Sequence, residues 1–144
     1  MLMLCLACIA EPEDTAIPAC HETARSIQIG PNAEPFQPYA STAQVVDMNG
    51  SWTLDAAARV GGLLVQDEEG LHTLATDIDV ESEGSTTGFD GEYRVACFGG
   101  HALVPLTVPV PNPDAEQLQM TVTVSDEQGT SVFAQLTVGL DWPE

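Results

Sequence analysis

Four carboxylates recur at every second position of one short segment, a spacing that could bind a cation. Asp77, Asp79, Glu81 and Glu83 alternate with uncharged residues. On an extended strand, alternate side chains point to the same face at a spacing of about 6–7 Å, so the four carboxylates would form an acidic stripe. Ca²⁺ takes about six to eight oxygen ligands, which such a stripe could supply together with loop carbonyls. The position of Gly84 excludes an EF-hand loop, and the solvated outer face of a sheet explains the same pattern.

A cysteine and a histidine, Cys97 and His101, form a second candidate metal site. Their spacing is similar to the last ligand loop of cupredoxins, β-sandwich proteins that hold copper with a Cys thiolate, two His and a weak axial ligand, often Met. This resemblance implies copper at Cys97 and His101, with His72 or His21 as the second imidazole. The sequence departs from the cupredoxin pattern, because no Met follows His101 at ligand distance and the motif lies mid-chain. A Cys20–Cys97 disulfide would exclude copper binding by that thiolate.

Catalysis has little support in the sequence. No serine lies in a G-x-S-x-G context, and the Gly-Gly pairs at 61–62 and 99–100 are typical of turns rather than of phosphate-binding loops. With 22 acidic residues in 144, any choice of two as general acid and base would be arbitrary. We therefore expect no enzyme and no cofactor.

The charge balance excludes one class of partner. Three arginines and no lysine face 22 acidic residues, which gives a formal net charge of −19. Such a chain repels phosphate backbones and anionic lipid, so nucleic acid is not expected as a partner. The acidic surface is expected either to attract cations or to act as a solubilising coat.

The apolar, uncharged residues 1–10 are typical of the end of a signal peptide. They are too short to span a bilayer, which needs about 20 apolar residues. The Leu-Ala-Cys triplet that ends at Cys8 resembles the lipobox of bacterial lipoproteins, which implies lipidation of Cys8, although Cys5 stands where that box has an aliphatic residue. Cleavage after Ala10 is one alternative, and a short buried strand is another. We therefore expect the protein to be exported, and either to stay in the cell envelope or to be secreted.

The segment that follows, 11–24, contains two prolines and several acids and has little periodic apolar character. This composition is typical of a tether between an anchor and a folded domain. The folded domain is therefore expected at 25–144, which is an ordinary length for one domain.

The cysteine count supports export. Removal or lipidation of the leader leaves Cys20 and Cys97 as an even pair, which favours one disulfide in an exported domain. That bridge would close a loop of about 76 residues and stabilise the fold by roughly 4 kcal/mol. Two free thiols in a reducing compartment are the alternative.

Alternation of apolar and polar residues predicts β-strands along the domain. The clearest pair is 117–125 and 131–140, two alternating runs around a turn at 126–129 that predict a hairpin. The segment 51–60 also alternates, although Asp55 could cap a helix there. The other predicted strands are 26–30, 44–48, 73–82, 91–98 and 101–108.

About seven to eight strands separated by turn signals predict an all-β, antiparallel β-sandwich. The stretch MTVTVSDEQGTSVFAQLTVGL, Met120 to Leu140, resembles the last two strands of bacterial Ig-like surface domains. This resemblance implies an Ig-like sandwich displayed outside the cell, often in adhesion or assembly, and implies no shared site residues. The antibody-type pattern of cysteines and tryptophan does not fit.

These features predict a non-catalytic binding or structural module of the cell envelope that presents an acidic face to a protein or glycan partner, with divalent cations as bridging ions. Contact with a membrane is expected only through a lipid anchor at Cys8. The alternative is a small metal-binding protein, with calcium on the acidic stripe or cupredoxin-like copper at Cys97, His101 and His72. A purely architectural domain is a second alternative.

Overall fold

The computed structural model describes Cys20 and residues 23–63 and 70–143 of the chain. Within these ranges there are eight β-strands, and no helix is long and apolar enough to cross a membrane. The predicted all-β class is confirmed. The strands are β1 (Ser26–Pro31), β2 (Thr42–Met48), β3 (Ser51–Gly61), β4 (Leu71–Ser82), β5 (Ser85–Phe98), β6 (His101–Pro109), β7 (Gln117–Ser125) and β8 (Ser131–Asp141).

Some sequence-based expectations fall outside the described residues. The predicted leader at 1–10, its candidate lipidation site Cys8, and His21 all lie there. Within the predicted tether at 11–24, Cys20 is described, and its side chain is only 1% exposed. The side chain of Cys20 therefore belongs to the hydrophobic core.

The C-terminal hairpin forms as predicted, because both of its strands have a strictly alternating pattern and the turn between them is closed locally. Asp126 Oδ1 accepts hydrogen bonds from the backbone N–H groups of Gln128 at 2.9 Å and Thr130 at 3.0 Å. β7 and β8 then pair antiparallel from Ser125–Ser131 to Gln117–Gly139. The inward side chains of β7 are fully buried, namely Leu118, Met120, Val122 and Val124.

The segment with the helical alternative, 51–60, is a strand throughout. β3 is paired on both edges: β6 covers one edge, and β1 and β2 share the other. Because the alternate residues from Leu54 to Val60 are apolar, a strand places all of them on one face, whereas a helix would distribute them around its circumference. The inward residues Leu54, Ala56, Ala58 and Val60 are each 0% exposed.

The strand pairing departs from the predicted antiparallel sandwich at two places. β2 pairs parallel with β8 over Thr42–Gln44, and β5 continues into β6 through Cys97–Phe98 and His101–Ala102. With these two short pairings, seven strands close into a ring in the order β3–β2–β8–β7–β4–β5–β6 and back to β3. Closure satisfies edges that two separate sheets would leave open, so the uniformly antiparallel arrangement that the sequence predicted is corrected.

One end of this ring is closed by the segment around Cys20. The Gly62 N–H donates to the Cys20 carbonyl oxygen at 2.7 Å, and Thr23 Oγ1 donates to the Gly100 carbonyl oxygen at 2.9 Å. Gly62 has φ of 79°, and a Cβ there would lie 2.6 Å from the Cα of Arg25. Glycine is therefore required for the chain to pass this close, and the contact holds Cys20 against the ends of β3 and β5.

Candidate functional site

Two sulfurs and one imidazole meet in the core at this end of the molecule. Cys20 and Cys97 form the predicted disulfide, with an S–S distance of 2.08 Å and a Cα–Cα distance of 5.8 Å. The ligand atoms of Cys20, Cys97 and His72 all lie within 4.8 Å of one another. We call these three residues the Cys–His cluster. Among the described residues, the Cys–His cluster is the group of three or more His, Cys, Asp or Glu residues whose ligand atoms lie within that distance of one another.

Strand register explains why these residues meet. His72 lies in the same alternation phase of β4 as Leu74 and Ile78, and both of these are fully buried. It pairs with Val95 of β5, and Cys97 is the next inward residue along that strand. Cys20 reaches the same point from outside the strands, through its backbone contact with Gly62. The cluster thus depends on β4, β5 and the N-terminal segment together.

His72 is an unusual core residue. Its side chain is 1% exposed, and within the described ranges neither ring nitrogen has a hydrogen-bond partner. A buried polar group without a partner costs about 1–3 kcal/mol. Leucine or phenylalanine at this position would avoid that cost, so the imidazole carries a penalty that packing alone does not explain.

The predicted copper ligands are only partly brought together. His72 and Cys97 are neighbours, but His101 lies on the opposite face of its strand. Cys97 pairs with Ala102, which is 2% exposed, whereas His101 pairs with Phe98, which is 79% exposed. The His101 ring lies outside, where its Nδ1 is 3.4 Å from the guanidinium of Arg59. The cupredoxin-like set of Cys97, His72 and His101 therefore does not form one site in this structure.

The acidic stripe lies on the outer face of the sheet, as its spacing predicts. Asp77, Asp79 and Glu81 are exposed on β4 and alternate with buried residues. Glu83 lies in the turn to β5 with φ of 49°, and its Oε2 accepts a hydrogen bond from the Glu116 N–H at 3.1 Å. These carboxylates follow the strand and do not converge as the Cys–His cluster does.

The neighbouring strands place further carboxylates beside the stripe. In the β4–β5 register, Asp77 lies directly opposite Asp90, and Ala75 lies opposite Glu92. Like charges directly opposite each other on paired strands are destabilising. β7 adds no charge on its side of β4, since Thr123 and Thr121 face Asp77 and Asp79.

Two shallow grooves run across this outer face. One has a volume of about 630 Å³ and is lined by Glu81, Glu83 and Glu116 together with polar uncharged side chains. The other has a volume of about 530 Å³ and is lined by Asp77, Asp90 and Glu92, among others. We call the surface formed by these six carboxylates the acidic face. Both grooves are lined by carboxylates and open to solvent.

Sequence reasoning missed three features of the structure. The predicted strand began at Thr73, so His72 was not recognised as an inward residue, although alternation extended by one step would have placed it there. Asp77 lies opposite Asp90 only because of the β4–β5 register, which the sequence does not specify. Trp142 packs edge-on against Trp52, with ring centroids 5.3 Å apart, and neither residue carried a signal for this contact.

Comparison with known proteins adds no family. No protein-family model matches the chain, and no curated protein matches it.

Proposed function

We propose that this protein is a non-catalytic binding module, displayed outside the cytoplasm, that holds a cationic partner on its acidic face. The observation that carries the proposal is the arrangement of six carboxylates around two open grooves on one face of the sheet. A net charge of −19 would attract a cationic partner from a distance. The grooves would then hold a strand or tail of that partner, such as a lysine-rich segment of a protein.

The like-charged pair on this face supports a binding role. Placing Asp77 opposite Asp90 lowers the stability of the free domain. A cation or a cationic side chain bound between them would relieve this repulsion. Divalent ions such as Ca²⁺, which prefer carboxylate oxygens, would act as bridges to an acidic or glycan partner.

Location outside the cytoplasm is supported by the disulfide of Cys20 and Cys97, since structural disulfides persist mainly in oxidising compartments. Anchoring through a lipidated Cys8 is the further part of this proposal. Mass spectrometry of Cys8 peptides from the membrane fraction tests it: acyl chains on Cys8 would support anchoring, and a mature chain that begins at Glu11 would contradict it.

An Ig-like relationship is a further part of this proposal. Apart from the two short pairings that close the ring, the strands fall into two groups: β3 with β1, β2 and β6, and β4 with β5, β7 and β8. Strands that switch between layers at corners produce this pattern in β-sandwiches. An experimental structure in which the two groups pack about 10 Å apart would support it, and an evenly curved wall would contradict it.

Titration calorimetry with a lysine-rich peptide at low salt tests the binding role. Removing two of the three carboxylates of the second groove with D77N/D90N should weaken binding several-fold, because two charges that face the peptide are lost. The matched control is E34Q/E127Q, which removes the same number of exposed charges elsewhere. Equal losses in both variants would show that net charge alone attracts the peptide and would contradict a role for the acidic face.

A parallel titration with CaCl₂ tests the bridging ions. Saturable heat that D77N/D90N abolishes would support a bound cation at this pair. If Ca²⁺ gives no saturable heat, and raises the melting temperature no more than Mg²⁺ does, bridging by calcium is excluded and only the direct cationic partner remains.

A further inference from the structure

We propose that the Cys–His cluster is a redox-gated site for a soft metal ion, copper(I). The site is closed while Cys20 and Cys97 are joined and opens when that bond is reduced. This role is separate from the acidic face, which lies on the outer surface of the sheet, whereas the cluster lies in the core at one end of the ring.

The donor set carries the inference. After reduction, Cys20 and Cys97 offer two thiolates beside the imidazole of His72, and all three ligand atoms already lie within 4.8 Å of one another. Thiolate and imidazole are the ligands that select soft and borderline transition-metal ions. The second observation is His72 itself, which is 1% exposed and whose ring nitrogens have no hydrogen-bond partner among the described residues. A metal ion would give that imidazole the partner that it lacks.

The number of donors favours copper(I) over zinc. Zn²⁺ in structural sites is almost always bound by four ligands. No fourth His, Cys, Asp or Glu of the described residues joins the cluster. A water could serve as the fourth zinc ligand, as it does in catalytic zinc sites, but here it would lie beside the hydrophobic core, which offers it few further hydrogen bonds. The two thiolates and one imidazole that the described residues bring together suit an ion that accepts three such ligands.

The structure also shows how the site could open without unfolding. Two thiolates that share one ion must lie farther apart than two bonded sulfurs. Cys97 is fixed within β5, but Cys20 precedes the first strand and is held by backbone contacts with Thr23 and Gly62. Movement of Cys20 alone would separate the sulfurs and leave every strand pairing intact.

The redox step is an ordinary thiol–disulfide exchange. A dithiol reductant attacks the disulfide through its thiolate, and two electrons and two protons pass to the protein sulfurs while the reductant becomes a disulfide. Copper(I) then displaces the two thiol protons and binds both sulfurs and the imidazole, with no change in its own oxidation state. A disulfide oxidant reverses the sequence: it takes up two electrons from the two thiolates and two protons from solvent and becomes a dithiol, while Cys20 and Cys97 rejoin and copper(I) is released with its oxidation state unchanged.

The test uses the full chain with C5S/C8S, because Cys5 and Cys8 would otherwise provide two more thiols. Oxidised and dithiothreitol-reduced samples are titrated anaerobically with copper(I) in competition with bicinchoninate. We expect one equivalent bound by the reduced chain, with an ultraviolet thiolate-to-copper band, and none by the oxidised chain. Circular dichroism before and after each titration reports whether the strands persist.

Substitutions at histidine separate ligation from packing. H72A should weaken copper(I) binding by more than about tenfold, since loss of even an outer-shell partner of a ligand costs about 10–100-fold. H72C should restore much of the affinity, because a third thiolate is also a soft ligand. H101A is the matched control, removing an imidazole that faces outward, and it should bind copper(I) as the parent does.

Four results would overturn the proposal. The first is equal copper(I) binding by the oxidised and reduced chains. The second is undiminished affinity in a folded H72A. The third is a preference for Zn²⁺ over copper(I), which would contradict three-ligand coordination. The fourth is unfolding on reduction that copper(I) does not reverse. None of these results bears on the acidic face, since a lysine-rich peptide is bound or not bound by the oxidised chain in a separate titration.

Discussion

Reduction of the Cys20–Cys97 disulfide should lower the free energy of unfolding by about 4.5 kcal/mol. The two cysteines are 77 residues apart in sequence. A cross-link over a loop of that length removes about 15 cal/mol/K of entropy from the unfolded chain, which is about 4.5 kcal/mol near 25 °C. Single domains are stable by only about 5–15 kcal/mol. The disulfide therefore supplies a large part of the stability of this domain.

Urea unfolding in metal-free buffer measures this quantity. The pair of Trp52 and Trp142 gives a fluorescence signal for tertiary structure, because their rings are in contact. With a denaturant slope of about 2 kcal/mol/M, the midpoint should fall by about 2 M when the same chain is reduced. The comparison keeps every side chain identical. The free energy of unfolding of C20A/C97A should be about 1 kcal/mol lower still than that of the reduced chain, because this variant also removes a sulfur atom from each of two core positions.

A reduced midpoint within about 0.5 M of the oxidised one would refute this reasoning, since that difference corresponds to only about 1 kcal/mol, close to the error of an extrapolated free energy of unfolding. It would mean that the two cysteines are not joined, or that the unfolded chain is already restricted. A C20A/C97A variant far less stable than the reduced chain would instead show that packing of the sulfurs, rather than the cross-link, dominates.

Three further predictions concern one turn, one tyrosine and the net charge. D126A should destabilise the β7–β8 turn by about 1–3 kcal/mol in urea unfolding, because the partly buried backbone N–H groups of Gln128 and Thr130 lose a charged acceptor, and D126N, which keeps that oxygen, should cost less. Burial, reinforced by the charge of Asp55, raises the pKa of Tyr39 from 10.0 to about 12. The neutral phenol is thus favoured in the folded state, and its contribution to stability, full below pH 10, should be lost as pH rises from 10 towards 12. Y39F should remove that part of the fall in melting temperature. Finally, the melting temperature should rise between about 0.01 M and about 1 M NaCl as the screening length falls from about 30 Å to about 3 Å. This rise should be smaller in D77N/D90N, and a melting temperature independent of salt would contradict strong repulsion in the folded state.

Local features of the fold follow from the sequence. The hairpin of β7 and β8 is predictable because both strands alternate and the turn between them is only a few residues long. The acidic stripe is predictable for a similar reason, since side chains two residues apart share a face in any strand. The limits of β5 were less predictable, because the segment before Gly91 has weak alternation, and the strand begins at Ser85.

Features that depend on pairing between distant strands were not predictable from the sequence. β2 and β8 pair in parallel although nearly the whole domain lies between them in sequence. Nothing in the residue pattern of Thr42–Gln44 specifies β8 as the partner. The pairing of Asp77 with Asp90 depends in the same way on the β4–β5 register. A shift of one residue would change the facing residue and leave the alternation of each strand unchanged.

The sequence by itself determined the strand class, the charge of the surface and the even pair of cysteines available for a disulfide, because each depends on composition or on spacing of a few residues. Only the tertiary structure decided that His72 lies beside both sulfurs, that His101 faces away from them, and that the strands close into a ring. The physical reason is that alternation fixes the face on which a side chain lies, whereas its neighbours on that face are fixed by strand order and register, which depend on packing of the whole core.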